Sequence, residues 1–250
     1  MNFMKILITN DDGIEAPGLA TLVQAFAGQA EIAVAAPDQE RSATSHSVTL
    51  RKPIGLRELG KRRWAIEGTP VDCVHLAVLK LLDFKPDLVI SGINHGANLG
   101  CDIIYSGTVA GAREAALLGF PAFAISLNSW NSHPNFQPAA EFAVKLARQV
   151  LARKIRPPTF LNVNVPDLPP AEIKPFRITR QGRRIYSKKI EEILQPNGQP
   201  GFVLGGDSAG GEPIEDSDIV AVEQGHISIT PLQLDTTSYP ALLRLRGFKI

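Results

Sequence analysis

Apolar residues fall in short unbroken runs through the first two thirds of the chain, and stretches with helical spacing lie between them. Residues 5–9 (KILIT) and 31–36 (EIAVAA) are apolar without alternation, the pattern of strands buried on both faces. Between them, residues 16–27 put Leu19, Leu22, Val23 and Phe26 on one helical face, with Pro17 near the first turn. A long polar loop (38–47) leads to Val48-Thr49-Leu50 and a hairpin region that ends at residues 63–66. Gly68-Thr69-Pro70 opens a second helix, with Thr69 as N-cap and Pro70 at N1. Residues 87–91, 121–127 and 160–165 predict three more buried strands. A glycine-rich loop spans 92–107, and helices are predicted at 109–118 and 138–152.

Strands alternating with helices predict an α/β fold with a mostly parallel, doubly wound sheet. After Pro166 the rhythm changes. Residues 177–180, 219–222 and 227–230 look like strands without intervening helices, and 205–211 like a flexible loop. The expected organisation is one α/β domain, with a core at 1–166 and a β-rich extension at 167–250.

Composition narrows the function. With 26 Lys+Arg against 25 Asp+Glu the formal charge is +1. That balance fits neither a coat for a nucleic-acid polymer nor an acidic disordered tail. No stretch approaches the roughly 20 apolar residues that span a bilayer, and no secretory h-region is visible. Cys73 and Cys101 make neither a disulfide framework nor a zinc signature, and read as thiols of a reducing cytoplasm. The signatures of P-loop NTPases, dinucleotide-binding folds, serine hydrolases and zincins are missing.

In an open parallel sheet, ligands sit beyond the carboxyl ends of the strands. Asp11-Asp12 follows the first predicted strand, Ser42 lies in the loop after the second, and Asn94 follows the strand at 87–91. Asp12-Gly13 is also a strong turn signal, but no strand follows at once to make a hairpin. Adjacent carboxylates at a strand end repel unless a cation or a pKa shift relieves them. Carboxylates, a hydroxyl and an amide are hard oxygen donors, suited to Mg²⁺, Mn²⁺ or Ca²⁺ rather than zinc. Tyr105-Ser106-Gly107-Thr108 precedes a helix whose first turn is small and apolar. Its hydroxyls and free N–H groups fit either a phosphate cradle or simple N-capping, and the two are compatible.

With these residues in view, the chain closely resembles the survival protein E family of nucleotidases. The resemblance runs through Asn10-Asp11-Asp12-Gly13-Ile14, Ala16-Pro17-Gly18, Ala36-Pro37-Asp38, Arg41-Ser42, Gly68-Thr69-Pro70, Ser91-Gly92-Ile93-Asn94, Gly96, Asn98-Leu99-Gly100 and Tyr105-Ser106-Gly107-Thr108-Val109. It returns at residues 225–232 (GHISITPL). It implies a Rossmann-like three-layer α/β/α fold, and homodimers or homotetramers built through C-terminal arms. It implies a phosphatase that uses one divalent ion, Mg²⁺ or Mn²⁺, on nucleoside 5′- and 3′-monophosphates, with short polyphosphate as a further substrate. It makes Asp11, Asp12, Ser42 and Asn94 the metal ligands, with Asp11 and Asp12 also catalytic, and Ser106, Gly107 and Thr108 the phosphate loop. It carries no catalytic role onto His46 or His95.

Two rival readings compete. In one, an aspartate attacks phosphorus to give a phosphoaspartate, although the familiar form of that chemistry spaces its aspartates as D-x-D. In the other, the chain is a non-catalytic metal- or nucleotide-binding switch resembling a phospho-receiver. Such a switch needs a phosphoacceptor aspartate at a later strand end, where this sequence has Ser91-Gly92-Ile93-Asn94.

Overall fold

The computed structural model describes residues 3–186, 189–205 and 208–248. Seven strands occupy the first two thirds of the chain: β1 (Met4–Thr9), β2 (Ala30–Pro37), β3 (Leu56–Gly60), β4 (Arg63–Ile66), β5 (Leu88–His95), β6 (Ala122–Asn128) and β7 (Thr159–Pro166). Four α-helices connect them: α1 (Pro17–Phe26), α2 (Pro70–Leu76), α3 (Gly107–Leu117) and α4 (Gln137–Ala152). There follow β8 (Lys174–Ile178), β9 (Arg184–Tyr186), β10 (Lys189–Leu194), β11 (Pro200–Gly205), β12 (Ser208–Gly211), α5 (Asp218–Glu223), β13 (His226–Gln233) and α6 (Tyr239–Leu245).

Nine strands form one sheet, in the order β3-β4-β2-β1-β5-β6-β7-β13-β8. From β4 to β7 every neighbouring pair is parallel; β3 pairs with β4, and β13 with β7, antiparallel. The continuous apolar runs have a direct cause, because both faces are covered. Ile6, Ile8 and Ile90 pack with Leu19, Leu22 and Phe26 of α1 and Ala139, Ala143 and Ala147 of α4. Leu7 and Val89 point the other way, against Cys73 and Val74 of α2 and Val109 and Ala112 of α3. The three-layer α/β/α architecture is thus the expected one.

Several boundaries differ from expectation. Residues 48–50 stay outside the sheet, because Thr49 gives its N–H and hydroxyl to the Asp72 carboxylate at 2.8 and 2.7 Å. The hairpin is β3–β4 instead. The predicted loop at 92–107 is partly β5, which continues to His95, and partly a 3₁₀ turn at Gly100–Ile104. Residues 219–222 are helical rather than extended. Ser217 caps α5 by accepting from the Val220 N–H, and Ile219 and Val222 lie one turn apart and both buried, so the short β-branched run misled. The strand expected at 177–180 is displaced to β8. Of the loop expected at 205–211, residues 206–207 lie outside the described residues, and Ser208–Gly211 pairs with β9. The C-terminal third is therefore not wholly separate from the sheet, since β13 enters it between β7 and β8.

Chain order places the ligand crevice. From β1 the chain steps to β2 on one side and later returns to β5 on the other, which is the reversal point where open α/β sheets bind ligands. The loop beyond β5 is clamped there by amides. The Asn98 carbonyl accepts from Asn162 Nδ2 and Asn164 Nδ2 at 2.8 and 3.0 Å, and Asn98 donates to Asn164 Oδ1 and Ser126 Oγ, each at 2.8 Å.

Close approach of α1 to this rim requires Gly18. A Cβ there would stand 2.1 Å from the Ile93 carbonyl oxygen, a backbone atom that cannot swing aside. Gly18→Ala should therefore cost about 3 kcal/mol, the upper end of ordinary overpacking. Thermal unfolding should show a melting temperature lower by roughly 10 °C; an unchanged value would mean that α1 does not pack this closely.

Candidate active site

The rim is built around a buried carboxylate. Asp11, just beyond β1, is 4% exposed, and its neighbour Asp12 is half-buried. The Thr108 hydroxyl donates to Asp11 Oδ1, and the Thr108 N–H also bonds this carboxyl. Gly107 permits the contact: a Cβ on it would lie 2.9 Å from both Asp11 Cβ and Oδ2. The first turn of α3 is therefore pressed directly against the end of β1. Ser106 caps α3 by accepting from the Val109 N–H at 3.0 Å. Capping thus falls to Ser106, and Thr108 turns toward Asp11.

The other predicted residues arrive from separate loops. The Arg41 N–H donates to the Asp11 carbonyl at 2.7 Å, which places Ser42 next to the carboxylates. Ser42 is exposed and its hydroxyl donates to Glu40 Oε1 at 2.7 Å, so its own lone pairs remain available. Asp12 Oδ2 accepts from the His95 N–H at 2.9 Å, which ties β5 to the site. Asn94, half-buried beside it, turns its Nδ2 to the Gly96 carbonyl at 2.7 Å and keeps its amide oxygen free of that bond. The structure therefore unites Asp11, Asp12, Asn94, Gly107 and Thr108, and holds Ser42 at their margin through its backbone neighbour.

Burial raises both carboxyls. Desolvation, against hydrogen bonds from Thr108 and aided by the charge of Asp12, pushes Asp11 up to about 7. Desolvation likewise raises Asp12, with Glu40 adding repulsion and the His95 N–H opposing it. Such a pocket disfavours its own negative charge, and a cation would relieve it. Among the described residues no group of three His, Cys, Asp or Glu side chains is placed to hold a metal. A cation here would need the mixed set of two carboxylates, an amide oxygen and a hydroxyl, which suits a hard ion.

Sequence reasoning missed the support behind Ser42. Glu114, on α3, is buried and takes His46 Nε2 on one oxygen at 2.7 Å and His75 Nε2 on the other at 3.0 Å. Ser45 donates its hydroxyl to the Ile104 carbonyl at 2.7 Å and its N–H to that of Tyr105 at 2.9 Å. Together these bonds staple the 41–49 loop to α2 and α3. One signal was visible: Glu114 and its neighbour Arg113 are the only charges in the otherwise small and apolar run at 109–118.

The family model for survival protein SurE matches residues 6–188. The chain belongs to the SurE family. It is 47% identical to the 5′-nucleotidase SurE of Geotalea daltonii over 99% of this chain and 100% of that protein. It is 49% identical to the 5′-nucleotidase SurE of Geotalea uraniireducens, again over 99% and 100%. The crystal structure of the SurE protein from Aquifex aeolicus superposes with a TM-score of 0.87 at 39% identity, covering 97% of this chain and 98% of that one. This likeness extends the SurE fold to nearly the whole chain, C-terminal third included.

The raised carboxyl has a stability consequence. Between pH 4 and about 7 folded Asp11 keeps a proton that the unfolded chain has released, so stability in chelator falls as pH rises through that window. Asp11→Asn removes this penalty. In EDTA at pH 8 the variant should melt several degrees above the parent, with the gap closing toward pH 4. A variant less stable than the parent at pH 8 would show that Asp11 carries no such burden.

Proposed function

We propose that the chain is a divalent-cation-dependent phosphatase releasing phosphate from nucleoside 5′- and 3′-monophosphates, with short polyphosphate as a further substrate. The observation that carries this reading is the first turn of α3 lying against paired, desolvated carboxylates. A phosphate-favouring helix end there shares a crevice with a cation-favouring acid pair. The relatives' name, 5′-nucleotidase, supports the nucleoside monophosphate as substrate.

Asp11, Asp12, Asn94 and Ser42 would hold one ion, Mg²⁺ or Mn²⁺. When bound, such an ion supplies a Lewis acid for phosphoryl oxygens and lowers the pKa of a coordinated water. The remaining chemistry belongs to the chain. The Ser106 hydroxyl and the Gly107 N–H would face the phosphoryl oxygens and stabilise the charge that grows on them during displacement, while Thr108, whose hydroxyl and N–H go to Asp11, would hold this loop against the carboxylate. Asp11 is engaged by Thr108, so the more accessible Asp12 orients the attacking water in line with the leaving ribose oxygen. The Asn98 amides and the Glu114 staple hold these groups at fixed separations, which lowers the entropic cost of alignment.

The rest of the reading is a homodimer or homotetramer in the cytoplasm, acting on a small nucleotide rather than a nucleic-acid polymer. In support, α6 buries no residue and exposes Leu242, Leu243 and Leu245, while the β10–β11 hairpin exposes Ile190, Ile193 and Phe202. Among the described residues no helix is long and apolar enough to cross a membrane.

Metal-stripped protein, assayed on a panel of nucleoside 5′- and 3′-monophosphates, should release phosphate only after Mg²⁺ or Mn²⁺ is restored. Asp12→Asn should fold normally and lose at least about 100-fold in kcat, on the scale of removing one transition-state contact. Undiminished release in EDTA, or an Asp12→Asn enzyme as fast as the parent at saturating metal, would contradict the assignment.

A further inference from the structure

Trp130 is 84% exposed, yet the turn that carries it is firmly built. Both of its chain neighbours are tied to one carboxylate. Ser129 Oγ and Asn131 Nδ2 each donate to Asp167 Oδ2 at 2.6 Å, and the Asn131 N–H returns a bond to Ser129 Oγ at 3.1 Å. Ser129 itself is buried. These bonds hold the backbone on either side of the indole while the ring faces solvent. Tryptophan carries a large apolar body, and a hydrogen-bonded turn that presents it to water leaves the ring's faces open to a stacking partner.

The turn also lies beside the site. His95 pairs with Leu127 across the β5–β6 register, and the Gly96 N–H donates to the Leu127 carbonyl at 3.0 Å. Trp130 follows Leu127 by three residues, which puts its backbone within roughly 11 Å of Leu127. His95 bridges the two places. Its N–H bonds Asp12, and its ring meets Phe136, in the same β6–α4 connection as Trp130, edge-on at 6.1 Å between centroids. From Asp12 the contacts thus pass through His95 to the connection that presents the indole.

We propose that Trp130 is the platform on which the nucleobase of the substrate stacks, an inference that rests on the nucleotidase reading above. The phosphate sits at Asp11, Asp12 and the α3 end, the ribose spans the β5 rim, and the base lies over the β6–α4 turn. Stacking accepts any base, because every base has a π-face, and favours the larger purines.

The chain has two tryptophans, and the other, Trp64, is 6% exposed. A soluble base can therefore quench Trp130 and hardly reaches Trp64. Adenosine titrated into the parent protein should quench emission saturably, and should leave Trp130→Phe, which keeps only Trp64, unchanged. In steady-state assays, Trp130→Ala should lower the ratio of kcat/KM for adenosine 5′-monophosphate over ribose 5-phosphate about tenfold, while Trp130→Phe keeps most of that ratio. No saturable quenching of the parent, or equal loss on both substrates in Trp130→Ala, would overturn the platform. Failure to hydrolyse either ester would instead refute the nucleotidase reading, and the quenching would still decide whether Trp130 holds a base.

Discussion

A negative charge placed where water is scarce governs this fold. Asp11 lies two residues past a strand buried on both faces, and α3 begins against its side chain. The contact exists because Gly107 has no Cβ to intervene and because Thr108 supplies two donors to the carboxyl. Desolvation raises the carboxyl to about 7 all the same, so the donors offset only part of its cost. A cation bound at the rim would relieve the uncompensated remainder. Asp12, one residue later and less buried, extends the same negative field toward solvent.

Everything else at the rim answers to that position. The loop bearing Ser42 is fastened by the Arg41 N–H to Asp11, by Ser45 to Ile104 and Tyr105, and by His46 to Glu114, so its anchors lie on three different elements. The loop after β5 is fastened by Asn98 to β6 and β7. These are polar bonds in a largely buried setting, where geometry is tight and an unmade partner is costly. They trade adaptability for fixed spacing, which suits the alignment of reacting groups that the proposed phosphatase chemistry requires.

Much of this was legible in the sequence, for identifiable reasons. Unbroken runs such as 5–9 report two-sided burial, and the Thr69-Pro70 signal became a full capping box, with Thr69 and Asp72 exchanging bonds. The strand-end placement of Asp11, Asp12 and Asn94 followed from sheet logic, and Ser42 from the same logic applied to β2. Local pattern failed where a long-range bond decided the outcome. Thr49 is kept out of the sheet by Asp72, 23 residues away. The 219–222 segment became a helix whose first residue, Asp218, accepts the N–H groups of Gly100 and Gly182, 118 and 36 residues away. The Glu114 bridge and the pinning of Trp130 were invisible for the same reason, since each joins segments that no local window contains.

On the proposed reading, this rim holds a single hard cation through its carboxylate pair. Isothermal titration of metal-stripped protein with Mn²⁺ near pH 8 tests it directly, with Asp12→Asn run beside the parent. One ion per chain is expected for the parent, with affinity weakened by at least about 100-fold in the variant, because losing a direct ligand should exceed the effect of disturbing an outer one. Equal affinity in the two proteins, or no stoichiometric binding by the parent, would contradict it.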